Sequence, residues 1–144
     1  MTTNDPRPKT EPARSLLQDV WSAGDVRLID ELVTADYVHT DPLLPESLEG
    51  PKALAGWVET VRKGTPDIAK TICETHVDGD AVIVTYLARG THRGEIMGIE
   101  PTGRSIEVDG ICVFRVSDGR LSECTDVWDA FGLFDQLGTF PPLR

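Results

Sequence analysis

Residues 105–128 read SIEVDGICVFRVSDGRLSECTDVW, and this stretch decides the fold. Apolar and polar residues alternate over 105–116 and again over 121–128, the period of strands with one face turned inward. Between them lies Ser117-Asp118-Gly119-Arg120, and Asp-Gly between two alternating runs signals a β-hairpin. On the second strand Ser122, Cys124, Asp126 and Trp128 share one face, while Glu123, Thr125, Val127 and Asp129 share the other. If Gly119 is left-handed in a three-residue loop with a bulge, Cys112 faces Cys124 and Gly110 faces Asp126. A plain two-residue turn shifts that register by one.

Working outward, residues 81–89 are rich in β-branched and aromatic side chains, and 68–77 form a further candidate strand across Asp78-Gly79-Asp80. Residues 91–96 continue the sheet, and 98–103 form a loop. Ahead of the strands the period is helical. Leu16, Leu17, Val20 and Trp21 mark one helix, stopped at Gly24. Val26, Ile29, Leu32 and Val33 mark a second. Tyr37-Val38-His39 is short and extended. Leu54, Trp57, Val58 and Val61 follow Pro51 in a third helix that ends near Gly64, and a short helix spans 130–137. Helices first, then an antiparallel meander, is an α+β arrangement: a curved sheet closing into a cone, with the N-terminal helices packed on it. Residues 1–12 carry three prolines and read as a flexible tail, leaving one domain over 13–144.

The chain has 144 residues, enough for one domain with a core and one enclosed pocket. No apolar run approaches the roughly 20 residues of a membrane span, and the start lacks the apolar segment of a secretory signal. Fourteen basic against 24 acidic residues give a formal charge of −10, which disfavours nucleic acid and long-range steering of anionic substrates. A local cation can still override the second effect. The odd number of cysteines, Cys73, Cys112 and Cys124, and their spacing suit neither a disulfide framework nor a zinc site. The expected location is the reducing cytoplasm. Phosphate-loop, dinucleotide and nucleophile-elbow motifs are absent.

Asp126 is the leading candidate for chemistry. It shares a face with Cys124 and Trp128, which favour burial, and a carboxyl held against Trp in an apolar pocket has a raised pKa suited to proton transfer near neutrality. His39 and His92 sit beside turns at the rim of the sheet and are candidate acid/base groups. His76 reads as a solvated strand end. His39 and Asp41 are two potential ligands without a third, so no metal is expected. Cys112 has no histidine nearby in sequence to activate it. Arg115 reads as a partner of Glu123 or Asp109. Trp21, Trp57, Trp128, Tyr37, Tyr86 and Phe114 suit the core, and some can also wall a pocket for a flat ligand.

Several spaced motifs carry a resemblance. They are Tyr37-Val38-His39-x-Asp41-Pro42, Gly50-Pro51-Lys52-Ala53 and Gly90-Thr91-His92-Arg93-Gly94, then Gly98-Ile99-x-Pro101-Thr102-Gly103-Arg104. Arg115-Val116-x-Asp118-Gly119-Arg120-Leu121 and Asp126-x-x-Asp129-x-x-Gly132-Leu133-x-x-Gln136-Leu137-Gly138 follow. In this order they resemble the SnoaL-like polyketide cyclases of the nuclear transport factor 2-like superfamily, over roughly residues 14–140. The resemblance implies a cone with a deep hydrophobic pocket and an intramolecular aldol closure of aromatic polyketides, without metal or organic cofactor. It implies Asp126 as acid/base and puts Gly110 and Cys112 at substrate-binding positions. Beside it, His39 and His92 are candidate relay groups, and Tyr37, Trp57, Phe114 and Trp128 are further candidate substrate contacts. The family's cyclases carry glutamine and histidine at the positions of Gly110 and Cys112, and that departure fits a hydroxylating branch as well. Homo-oligomers, dimers or tetramers, are also implied. Two other readings use the same cone: a binding or dimerisation module, and an epoxide hydrolase built from Asp109, Arg115 and Asp126.

Overall fold

The alternating stretches fold as the sequence pattern dictates. The computed structural model describes residues 8–140. Strands β3 (Ala69–Asp78), β4 (Ala81–Thr91), β5 (Ser105–Ser117) and β6 (Arg120–Trp128) form the antiparallel meander. Their inward positions carry Val82, Val84, Tyr86, Cys112, Phe114, Leu121 and Cys124, all buried in one core. The first strand, β1 (Val33–Thr40), pairs with the last in parallel, and the short β2 (Leu48–Glu49) closes that edge. The spatial order is β2-β1-β6-β5-β4-β3 in one curved sheet. The α+β class is therefore as expected, but the meander covers only the last four strands. The expected strand over 91–96 ends at Thr91. Beyond it, residues 92–104 form a loop with one bridge, Ile96 to Ile99.

The β5–β6 hairpin settles the register. Asp118 (φ 49°) and Gly119 (φ 77°) are both left-handed, and Ser117 pairs with Arg120, so the turn has two residues, not three. A bulge then inserts Ser122 opposite the Arg115–Val116 step. Turn and bulge together slide the partners by two positions from those expected. Cys112 lies opposite Asp126 and Phe114 opposite Cys124, while Gly110 lies opposite Trp128. A slide of two keeps the face, so Asp126 still points inward. The bulge also turns Leu121 inward in place of Ser122.

The helices cover the inner face. A helix starts as α1 (Glu11–Ser15) and continues in wider π turns over Leu16–Ser22. Leu16, Leu17, Val20 and Trp21 are buried, as their spacing predicts. Of the expected tail, residues 1–7 lie outside the described residues, and Glu11 and Pro12 are already helical. The second predicted helix is one 3₁₀ turn, Val26–Leu28, then α2 (Ile29–Leu32). Helix α3 (Pro51–Gly64) buries Leu54 and Val58. Helix α4 (Ala130–Leu137) starts at Asp129, whose Oδ1 accepts the Gly132 N–H at 2.8 Å, an N-cap that accounts for the Asp-x-x-Gly of the sequence. Leu133, Phe134 and Leu137 form a second apolar cluster with Ile99 and Ile106.

Candidate active site

Between helices and sheet lies a cavity of about 170 Å³, walled mainly by aromatic and aliphatic side chains, among them Trp21, Trp57, Val61, Ile68, Tyr86 and Trp128. Three charged side chains reach its wall from buried positions: Asp126 of β6, Lys70 of β3 and Asp41 of the β1–β2 connection. Isolated charges are costly to bury, so their partners matter. The Tyr86 hydroxyl donates to Asp126 Oδ1 at 2.7 Å, and Lys70 Nζ lies 4.0 Å from Asp126 Oδ2. Asp41 Oδ1 accepts the Leu43 N–H at 2.9 Å and Oδ2 the Trp128 indole N–H at 3.1 Å. Trp128 thus borders the cavity with Asp126 but gives its N–H to Asp41.

These surroundings bias the protons. Burial pushes the Asp41 carboxyl above its usual range, and the Asp126 charge adds to this against the two N–H donors. Burial, then the Asp126 charge, keeps the Tyr86 phenol protonated far beyond its ordinary range. Tyr86 is therefore a fixed donor to Asp126. A carboxyl with one phenolic donor and an ammonium beside it, facing an apolar cavity, can give and take a proton at carbon.

His39 is buried on β1, and its Nδ1 lies 3.2 Å from the Tyr37 hydroxyl. Its Nε2 is buried without a hydrogen-bond partner. Donor atoms of His39, Asp41 and Asp126 lie within 4.8 Å of one another, so Asp126 is a third potential ligand beside the His39–Asp41 pair, one the sequence spacing could not supply. Both Asp41 oxygens already accept N–H groups, and the Lys70 ammonium already stands beside Asp126.

His92 is elsewhere. It is fully buried, its Nδ1 accepts the Thr102 N–H at 3.2 Å, and its backbone pairs with Gly103 and Arg104. It pins the 92–104 loop and is not among the cavity-lining residues. Of the expected substrate contacts, Trp57 and Trp128 line the cavity, and the Trp57 indole N–H is buried with no partner. Tyr37, Cys112 and Phe114 lie in the core behind it. The Cys112 thiol is pushed up by its hydrogen bond to Cys124 and by burial, which disfavours the nucleophilic thiolate. Gly110 lies beneath Tyr86: a Cβ there would sit 2.2 Å from Tyr86 Cζ, so the bare position makes room for the ring that reaches Asp126. His76 is exposed beside Glu74, as expected.

Asp109 and Arg115 are exposed on the outer face, and Arg115 pairs with Asp80 at 3.0 Å rather than with Glu123 or Asp109. The Asp-Arg-Asp cluster needed for epoxide hydrolysis does not form. Sequence reasoning missed Lys70, and it placed Tyr86 in the core or a pocket wall without a hydrogen bond to Asp126. The available signal was slight: Lys70 and Ile72 alternate on one face of β3.

A curved sheet backed by helices, enclosing an apolar cavity with an acid at its wall, defines a small-molecule pocket protein. The SnoaL-like polyketide cyclase model matches residues 11–137, and the chain belongs to that family. It is 31% identical over 111 residues to the nogalonic acid methyl ester cyclase of Streptomyces nogalater, covering 72% of this chain and 81% of the relative. It is 32% identical over 111 residues to the aklanonic acid methyl ester cyclase AcmA of Streptomyces galilaeus, covering 72% and 76%. Among solved structures it is similar to IdmH of Streptomyces antibioticus, a candidate polyketide cyclase, at TM-score 0.81 and 27% identity over 92% of this chain and all of IdmH. AclR of Streptomyces galilaeus, a candidate hydroxylase, superposes at TM-score 0.79 with 23% identity over 94% and 88%, which shows the shared fold.

Proposed function

We propose that the chain is a cofactor-independent enzyme that closes a ring of an aromatic polyketide ester, with Asp126 as the acid/base. The observation that carries this reading is the buried Asp126 carboxyl at the cavity wall, held by Tyr86 and faced by Lys70. Asp126 removes a proton alpha to a carbonyl. The resulting enolate carbon attacks a second carbonyl of the same molecule, forming the C–C bond, and the new alkoxide takes the proton back. Holding both ends in one cavity lowers the barrier by up to several kcal/mol. His39, whose nitrogen lies near Asp126 and Asp41, is the relay candidate. No helix among the described residues is long and apolar enough to cross a membrane.

The test mixes the protein with a tricyclic aromatic polyketide methyl ester, in air and without oxygen, and follows product mass. A product of unchanged mass under both conditions is expected. Asp126→Asn should lower turnover about 10²–10⁴-fold. Turnover unchanged in that variant would leave a binding module. Oxygen gained only in air would instead indicate hydroxylation, the reading that the departures at Gly110 and Cys112 fit as well. We further propose a homo-oligomer built on the outer sheet face, where the exposed Ile111 and Val127 lie directly opposite each other.

A further inference from the structure

The proton transfer proposed for Asp126 assigns no task to Lys70, whose side chain is buried at the cavity wall. Lysine is almost never fully buried without a partner. On β3 it is the one buried residue. Its backbone N–H donates to Ser22 Oγ at 2.9 Å, which ties the strand to the helical segment carrying Trp21. The tie places Nζ 3.7 Å from the centre of the Trp21 ring and 4.8 Å from that of Tyr86. Two aromatic faces stabilise a cation but accept none of its N–H groups in the ordinary way. Asp126 Oδ2, at 4.0 Å, is beyond hydrogen-bond length. Nζ makes no hydrogen bond to a described side chain or carbonyl, and it borders the cavity.

We propose that Lys70 is an oxyanion-binding residue, whose ammonium takes the enolate or phenolate oxygen of an aromatic carbonyl ligand while Asp126 holds the proton. The proposal rests on the reading of Asp126 as a group that exchanges a proton with the ligand. The charges balance. At rest the negative charge is on Asp126 and the positive charge on Lys70. When the ligand C–H or O–H proton moves to Asp126, the electron pair stays on the ligand and its charge settles on oxygen. Lys70 remains the counter-ion of a single anion throughout. Tyr86 supports this division: its hydroxyl occupies Oδ1 of Asp126 and leaves Oδ2 on the Lys70 side. The ligand class is a flat enolisable or phenolic aromatic ketone. Neutral aromatics fill the walls but leave the ammonium unsatisfied.

The probe is alizarin, 1,2-dihydroxyanthraquinone, whose colour reports ionisation of its phenol. Asp126→Asn carries an amide in place of the neutral acid and removes the competing charge. That variant should bind the coloured anion at least about tenfold more tightly than the wild type, with the colour change at least about one pH unit lower than in free dye. Adding Lys70→Met should abolish both gains, and Lys70→Arg should keep most of them. Cooperative unfolding of each variant is checked first. If Lys70→Met does not fold, Lys70→Gln takes its place. Tight anion binding that survives the loss of the lysine overturns the proposal, and so does absence of the colour shift in Asp126→Asn. If Asp126→Asn turns over the polyketide ester like the wild type while the shift still depends on Lys70, the acid/base reading falls and the oxyanion site stands.

Discussion

Asp41 and Asp126 approach the same end of the cavity from different elements, and Asp41 sets a measurable pH dependence. Its folded pKa is raised chiefly by burial. The protonated carboxyl therefore favours the folded state. That contribution is full below the ordinary value of 3.8 and is lost as pH rises through the raised folded value. Asp41→Asn removes the loss and leaves an amide oxygen to accept from Trp128. Its stability relative to the wild type should thus increase in urea unfolding as pH rises from below 3.8 through the raised folded value. Parallel profiles would contradict the burial-driven shift. Residues also mark how far the sequence could be read. Asp126 was legible because Cys124 and Trp128 two positions away declare its face. Lys70 was not, because its burial comes from Ser22 and Trp21, which lie 48 and more positions away along the chain.

At the scale of elements, local signals located the hairpin and left its pairing open. Asp-Gly marked the turn, yet the choice between two and three residues and the bulge at Ser122 depend on which side chain fills the core. Leu121 does, and the insertion follows from its burial. Gly119 carries the left-handed backbone at φ 77°. Gly119→Ala should cost about 1–2 kcal/mol in chemical denaturation, whereas a negligible cost would mean the turn relaxes. The parallel pairing of β1 with β6 left no trace in either strand, since alternation reports faces and says nothing of neighbours. The π turns over Leu16–Ser22 were read as an ordinary helix, because the buried positions of the two forms nearly coincide over so short a run.

For the whole molecule, the proposed association rests on the outer sheet face. Ile111 is 46% exposed and Val127 57%, a cross-strand apolar pair on a chain of net charge −10. Val127→Lys should convert an oligomer to a lighter species in sedimentation equilibrium with the cavity intact. An unchanged mass for an oligomeric wild type would move the contact to another surface. The parallel contact of the first strand with the last has a consequence for synthesis. Asp126 leaves the ribosome 85 residues after Asp41. Until β6 emerges, β1 presents one unpaired edge and the cavity lacks its acid. The cavity thus stays without its acid until β6 is made, and the exposure of the β1 edge to misassociation ends with the same strand.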